Sequence, residues 1–220
     1  GGRELTKIFK AVREAGVCTS LDLAAVDPNS EAGKADWRAI LAATLPYVDF
    51  FVPSFEELLF MLDRDKYESL SRKAGRTELT AVTDIERDIR PLAQAALDMG
   101  AACVLLKCGE PGLMLKCGGG MQSCCDRLGL ERHTWSNYEH FERSYKAGRI
   151  VSATGAGDTA IAAFLMSLLR GFGPEKALQY AAAAGACCVG EYDALSGLVS
   201  FDEMTRKINE GWPKLDPNGG

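Results

Sequence analysis

The stretch Val151-Ser-Ala-Thr-Gly-Ala-Gly-Asp-Thr-Ala160 joins a short apolar segment to a long apolar helix through two glycines. Beyond it Ile161, Ala162, Phe164, Leu165, Leu168 and Leu169 recur at helical spacing. The first amides of a helix have no intrahelical partner, and the helix dipole there favours negative charge. Glycines let the chain turn sharply and let a ligand approach the backbone. A loop of this kind can hold an anion, a phosphate above all. Asp158 would face that anion, and a carboxylate with no covalent part to play suits a base that accepts a proton from an attacking hydroxyl.

Taken bare, Gly-x-Gly-Asp is also an ordinary helix start, because Asp and Gly are common at caps and turns. Gly155, Gly157 and Ala160 fit a second pattern too, the Gly-x-Gly-x-x-Ala variant of the dinucleotide fingerprint. A dinucleotide site needs a strand–helix–strand unit with an acidic residue about twenty positions on. Glu175 has that spacing, but it sits in the turn Gly171-Phe-Gly-Pro-Glu175, and a second helix is predicted over 174–189. There is no Gly-x-x-x-x-Gly-Lys-Ser/Thr run. The loop therefore reads as a phosphate site of another class, with a dinucleotide-binding Rossmann protein as an alternative.

With 220 residues, 47% of them hydrophobic, the chain has enough material for one sizeable domain with its own core. A net charge of -5 and scattered basic residues give no surface for nucleic acid. No apolar run approaches the roughly eighteen residues of a membrane span, and no signal-peptide pattern is present, so the reading is soluble and cytoplasmic. The eight cysteines include no Cys-x-x-Cys. Cys18, Cys103, Cys187 and Cys188 lie in apolar runs and read as small core residues. Cys117, Cys124 and Cys125, with His133 and His140 downstream, are the alternative metal cluster. Free thiols in a reducing compartment are the preferred account.

Periodicity predicts a helix over 5–16, a buried strand over 17–23 ending near Asp22, and a helix over 35–45. A short strand over 48–52 is closed by Pro53, and Ser54-Phe-Glu-Glu57 reads as a capping box that opens the next helix. Residues 64–84 read as a loop or frayed helix, 85–99 as a helix, and 102–107 and 113–117 as strands around a Gly-Glu-Pro-Gly turn. Residues 118–147 read as irregular, a short helix starts at Phe201, and the closing Pro217-Asn-Gly-Gly220 reads as a terminal tail. Strands alternating with helices argue for an α/β fold with a mostly parallel sheet and helices on both faces. Ligands of such sheets bind beyond the carboxyl ends of strands, where Asp22, Ser54–Glu57 and Lys107–Gly112 fall, and the Gly155 loop is expected on the same rim.

These residues together resemble the PfkB/ribokinase family of ATP-dependent carbohydrate kinases, from about Gly2 to Leu198. The most specific match is Thr154-Gly-Ala-Gly-Asp158, similar to the family's second signature. The resemblance implies a ribokinase-like three-layer Rossmann-type fold. It also implies ATP and Mg2+ as cofactors and a hydroxymethyl group of a sugar-like small molecule as acceptor. Asp158 takes the place of the general base on that acceptor, and Gly155, Ala156 and Gly157 the place of the anion hole. Glu57 matches the Glu of the family's Asn-x-x-Glu element, which organises Mg2+, with Ser54 in place of the Asn. Lys107, Gly109 and Gly112 resemble the segment bordering the nucleotide, next to Thr154. Ala184, Cys188 and Gly197 occupy the place of the adenine-side wall, and Asp22 lies near the acceptor pocket. The family's Asp-Thr, which helps to hold a monovalent cation, is Ser152-Ala153 here, so the carboxylate offered to that cation is absent. The match begins in the middle of the family pattern. The chain is accordingly read as a single α/β domain over 1–220, the nucleotide-binding C-terminal portion without the first strands and the lid. An exposed sheet edge in such a portion favours self-association, with a homodimer as the expected form. A catalytically silent nucleotide-binding module is the other functional alternative.

Overall fold

Asp36, Ser54, Asp63, Asp84 and Ser200 each accept an amide hydrogen bond three residues on, at 2.8–3.2 Å, and so fix where five helical segments begin. The computed structural model describes residues 2–216, so the expected tail at 217–220 lies outside the described residues. The elements are α1 (Arg3–Glu14), β1 (Ser20–Leu21), α2 (Trp37–Thr44), β2 (Phe50–Phe51), α3 (Phe55–Leu62), α4 (Arg64–Ala74) and α5 (Arg90–Asp98). They continue with β3 (Cys103–Lys107), β4 (Gly112–Cys117), α6 (Met121–Leu128), α7 (Arg132–Trp135) and β5 (Glu139–Arg143). The helices α8 (Ala156–Leu169), α9 (Pro174–Cys188) and α10 (Phe201–Asn209) complete the order.

The strands form a five-stranded sheet in the order β1-β2-β3-β4-β5. The first three are parallel, with Leu21 opposite Phe51 and Phe51 opposite Val104. The connection from β3 to β4 is too short for a parallel crossover, so the sheet is mixed. This is an α/β fold. Residues up to Cys108 with Met114–Glu139 form one compact unit, and Gly109–Leu113 with the residues from His140 on form another.

In the first unit β3 is a near-continuous buried run, as a strand covered on both faces requires. Phe51 and Phe55 are fully buried, each contributing roughly 2–3 kcal/mol. The buried carboxylate of Asp49 accepts from Arg13 Nη1 at 2.6 Å and from the Thr19 amide at 2.9 Å, and it also pairs with Arg127. Such pairing is what lets a charge stay in the core.

In the second unit α8 and α9 bury mostly small residues, among them Ala160, Ala163, Ala177, Ala181 and Ala184, around the larger Phe164. Phe201 anchors α10, 4.7 Å from the Tyr180 ring and under the Arg170 guanidinium at 4.4 Å. Tyr145 stacks on Trp212 at 4.8 Å, and Trp212 Nε1 donates to the Lys146 carbonyl at 2.8 Å. Among the described residues no helix is long and apolar enough to cross a membrane.

Four expectations change. The strand expected over 17–23 shrinks to Ser20–Leu21 because β1 is a sheet edge, paired on one side, and Val17 is exposed. Residues 64–74 form a full helix, α4, although only Leu70 of it is buried. It holds through the Asp63 cap, the Phe60–Tyr67 edge contact at 5.3 Å and Arg64 over the Phe60 ring. The helix expected over 85–99 opens with a π-turn at Ile85–Ile89. Pro91 has no N–H for the Arg87 carbonyl, and Lys66 Nζ donates to that oxygen at 3.3 Å. Finally, 118–147 contains α6, α7 and β5 rather than irregular chain. The buried stripe of α6 is Met121, Cys124 and Cys125.

Candidate functional site

At the carboxyl ends of β1, β2 and β3 the first unit brings several of the sequence-predicted residues together. Lys107 Nζ donates to Asp22 Oδ1 and Oδ2 at 2.9 and 2.7 Å, with Lys107 nearly buried and Asp22 half-buried. Ser54 bridges Lys107 as a one-residue extension of the parallel ladder, and the Lys107 amide donates to the Pro53 carbonyl at 2.9 Å. The capping box forms, since Ser54 Oγ accepts from the Glu57 amide at 3.2 Å. In return Glu57 Oε2 accepts from the Ser54 amide at 3.0 Å. Among the described residues no three His, Cys, Asp or Glu side chains are grouped to hold a metal ion.

The second unit carries the glycine turn. Gly155 has φ 80°, a left-handed conformation, and caps α8 with no side-chain hydrogen bond. An added Cβ there would collide with Ala194. Cys188 Sγ, buried at the end of α9, donates to the Thr154 carbonyl at 3.5 Å and to the Ala194 carbonyl at 3.7 Å. The Thr154 amide donates to Ser152 Oγ at 3.1 Å. The Ala156 amide donates to the Ala153 carbonyl at 3.2 Å, so an anion would be met chiefly by Gly155 and Gly157. Asp158 lies in the first turn of α8 with its side chain exposed.

Gly197 packs against the Cys187 carbonyl, and Ala184 is buried in the helix pair. Gly109 and Gly112 close the turn between β3 and β4, the Gly112 amide donating to the Gly109 carbonyl at 3.2 Å. Gly112 has φ 136°, and a side chain there would strike the Glu142 carbonyl.

The loop Asp193-Ala-Leu-Ser-Gly197, which the resemblance assigns to the adenine-side wall, is a local turn that supports Ala194: Asp193 Oδ1 accepts from the Leu195 and Ser196 amides at 2.8 Å, and Ser196 Oγ donates to Oδ2 at 2.6 Å. The Ser196 hydroxyl and these amides hold the Asp193 carboxyl below its usual range. What sequence reasoning missed in this unit is a cleft of about 490 Å³ lined by Gly148, Arg149, Cys187, Gly197, Lys207 and Trp212, assembled from distant segments without a local signature. The dinucleotide alternative is corrected, since α9 rather than a strand follows α8.

Over residues 3–200 the sequence matches the family described as pfkB family carbohydrate kinase. A stretch of 71 residues, 32% of this chain, is 38% identical to the bifunctional protein HldE of Helicobacter pylori (strain Shi470), of which it covers 15%. Among solved structures, Arabidopsis thaliana ribokinase complexed with ribose and ATP superposes with a TM-score of 0.63 at 23% identity, over 91% of this chain and 50% of that one. A putative ribokinase II from E. coli in complex with ATP and Mg2+ gives 0.60 at 22% identity, over 94% and 53%. The chain thus spans about half the length of the ribokinases it resembles in fold. With the matched region covering most of its length, the chain belongs to the pfkB family of carbohydrate kinases.

Proposed function

We propose that this chain carries the phosphoryl-transfer end of an ATP-dependent kinase acting on a hydroxymethyl group of a sugar-like molecule, with Asp158 as general base. The observation that carries the reading is the α8 start: a left-handed Gly155, no side-chain cap, and an exposed carboxylate within one turn. Asp158 would take the proton of the acceptor hydroxyl as its oxygen bonds to the γ-phosphorus and the bond to the β-phosphate oxygen breaks, releasing ADP. The Gly155 and Gly157 amides would stabilise charge on the moving phosphoryl group. A bound Mg2+ would neutralise phosphate charge, with Glu57 holding it through water.

ATP and ribose in the Arabidopsis ribokinase, and ATP with Mg2+ in the E. coli protein, support the choice of cofactors and acceptor class. Lys107 and Asp22 are read as a neutralised pair that a ligand must part before either can contribute.

The test is Asp158→Asn, assayed for ADP release with a panel of sugars and nucleosides. Turnover should fall at least about a hundredfold while Mg-ATP affinity, titrated calorimetrically, changes little. Undiminished turnover would remove Asp158 from the role. Saturable ATP binding with no transfer to any acceptor would make the chain a silent nucleotide-binding module.

A further inference from the structure

Six of the eight cysteines, Cys18, Cys103, Cys108, Cys117, Cys124 and Cys125, lie in the first unit as free thiols that phosphoryl transfer does not use. Two pairs have their sulfurs close: Cys103 and Cys117 at 3.3 Å, and Cys18 and Cys124 at 3.8 Å. Cys103 and Cys117, on β3 and β4, and Cys124, on α6, are all buried, and burial pushes the Cys103 and Cys124 thiols well up; the pairs differ at Cys18. Cys18 is half-buried in the coil just before the edge strand β1. Arg127 Nε donates to Cys18 Sγ at 3.4 Å, and the same guanidinium pairs with Asp49, which Arg13 also holds at 2.6 Å. Two guanidiniums and one carboxylate thus lie beside Cys18.

We propose that Cys18 and Cys124 form a peroxide-reactive pair, in which Cys18 is oxidised first and Cys124 closes the disulfide. The Cys18 thiolate attacks one oxygen of a hydroperoxide. The O–O bond breaks, Cys18 becomes a sulfenic acid, and the other oxygen leaves as water or alcohol after taking up a proton. Cys124 sulfur then attacks the Cys18 sulfur. The S–O bond breaks, and hydroxide leaves with the Cys124 proton as water. In sum, two thiols lose two protons and two electrons, and the peroxide takes them up to give water and water or an alcohol.

The sulfurs must close from 3.8 Å to about 2 Å, which the coil position of Cys18 allows more readily than a strand would. The new bond would tie the start of β1 to α6 across 106 positions of sequence. A cross-link over so long a loop restricts the unfolded chain strongly, so the oxidised form should unfold at a higher temperature.

The experiment oxidises the reduced full chain with hydrogen peroxide, blocks remaining thiols, and maps the peptides without reduction. The expected result is a linked Cys18–Cys124 peptide and an intact mass lower by two hydrogens. The thermal midpoint should rise by at least about 4 °C and fall back with dithiothreitol. Cys18→Ser, at a half-buried site, should keep the midpoint of the reduced protein and lose both effects. A Cys103–Cys117 link in place of this one would overturn the proposal. So would Cys18 found only as sulfinic or sulfonic acid, or no link at peroxide levels that oxidise free glutathione.

Discussion

Gly155 holds a left-handed backbone with Ala194 pressed against the space where a side chain would begin. Gly155→Ala therefore meets both backbone strain and collision, and should lower stability by about 2–3 kcal/mol, read as a shift in urea midpoint. An unchanged midpoint would mean that Ala194 yields freely. This glycine was legible in the sequence because a turn into a helix asks for positive φ locally. Its partner Ala194 was not, because that contact joins segments about forty residues apart. Asp88 shows the same limit. Burial pushes its carboxyl up, but Arg87, the Asp84 amide and Lys66 at 2.9 Å outweigh burial and hold it down at about 2. A carboxyl depressed in the folded state stabilises fully above its unfolded value of about 4 and loses that contribution as pH falls through about 2. Asp88→Asn should thus cost on the order of 1–2 kcal/mol at pH 7 and flatten the acid limb of stability between pH 4 and 2.

Helices announced themselves where apolar residues repeat, and were lost where the repeat is made by unusual residues. The Ser54 capping box was read correctly because both of its hydrogen bonds are local. The helix α6 was missed because cysteines carry its buried stripe. The strand β5 was missed because it reads Glu-His-Phe-Glu-Arg, and its buried Glu142 needs Lys214 from far along the chain. The pair α8 and α9 offers a clean test of helix propensity. A Cβ at Gly185 would meet nothing closer than the Ala156 carbonyl at 3.5 Å, an ordinary contact. Gly185→Ala should accordingly raise stability by about 0.5–1 kcal/mol in thermal or urea unfolding. A loss would show that the two helices pack more tightly there than ordinary contact allows.

For the molecule as a whole, ligand binding and chemistry can be separated by mass action. Mg-ATP at about a hundredfold excess over its Kd should raise the thermal midpoint by roughly 5–10 °C, and Asp158→Asn should show the same rise. A rise lost in that variant would place Asp158 in binding rather than in proton transfer. The α/β class and the family were readable from the glycine turn and the alternation of elements. The division into two units was not, because its boundary runs inside β4 and β5, within continuous secondary structure. That boundary has a consequence for fragmentation. A nick after Glu139 leaves Gly109–Leu113, which belong to the second unit, on the amino-terminal piece. A nick inside that short segment leaves parts of both units on each product. A single cut after Glu139 therefore keeps the first unit whole but always divides the second, whose carboxyl-terminal piece would need Gly109–Leu113 restored from the other fragment to be complete.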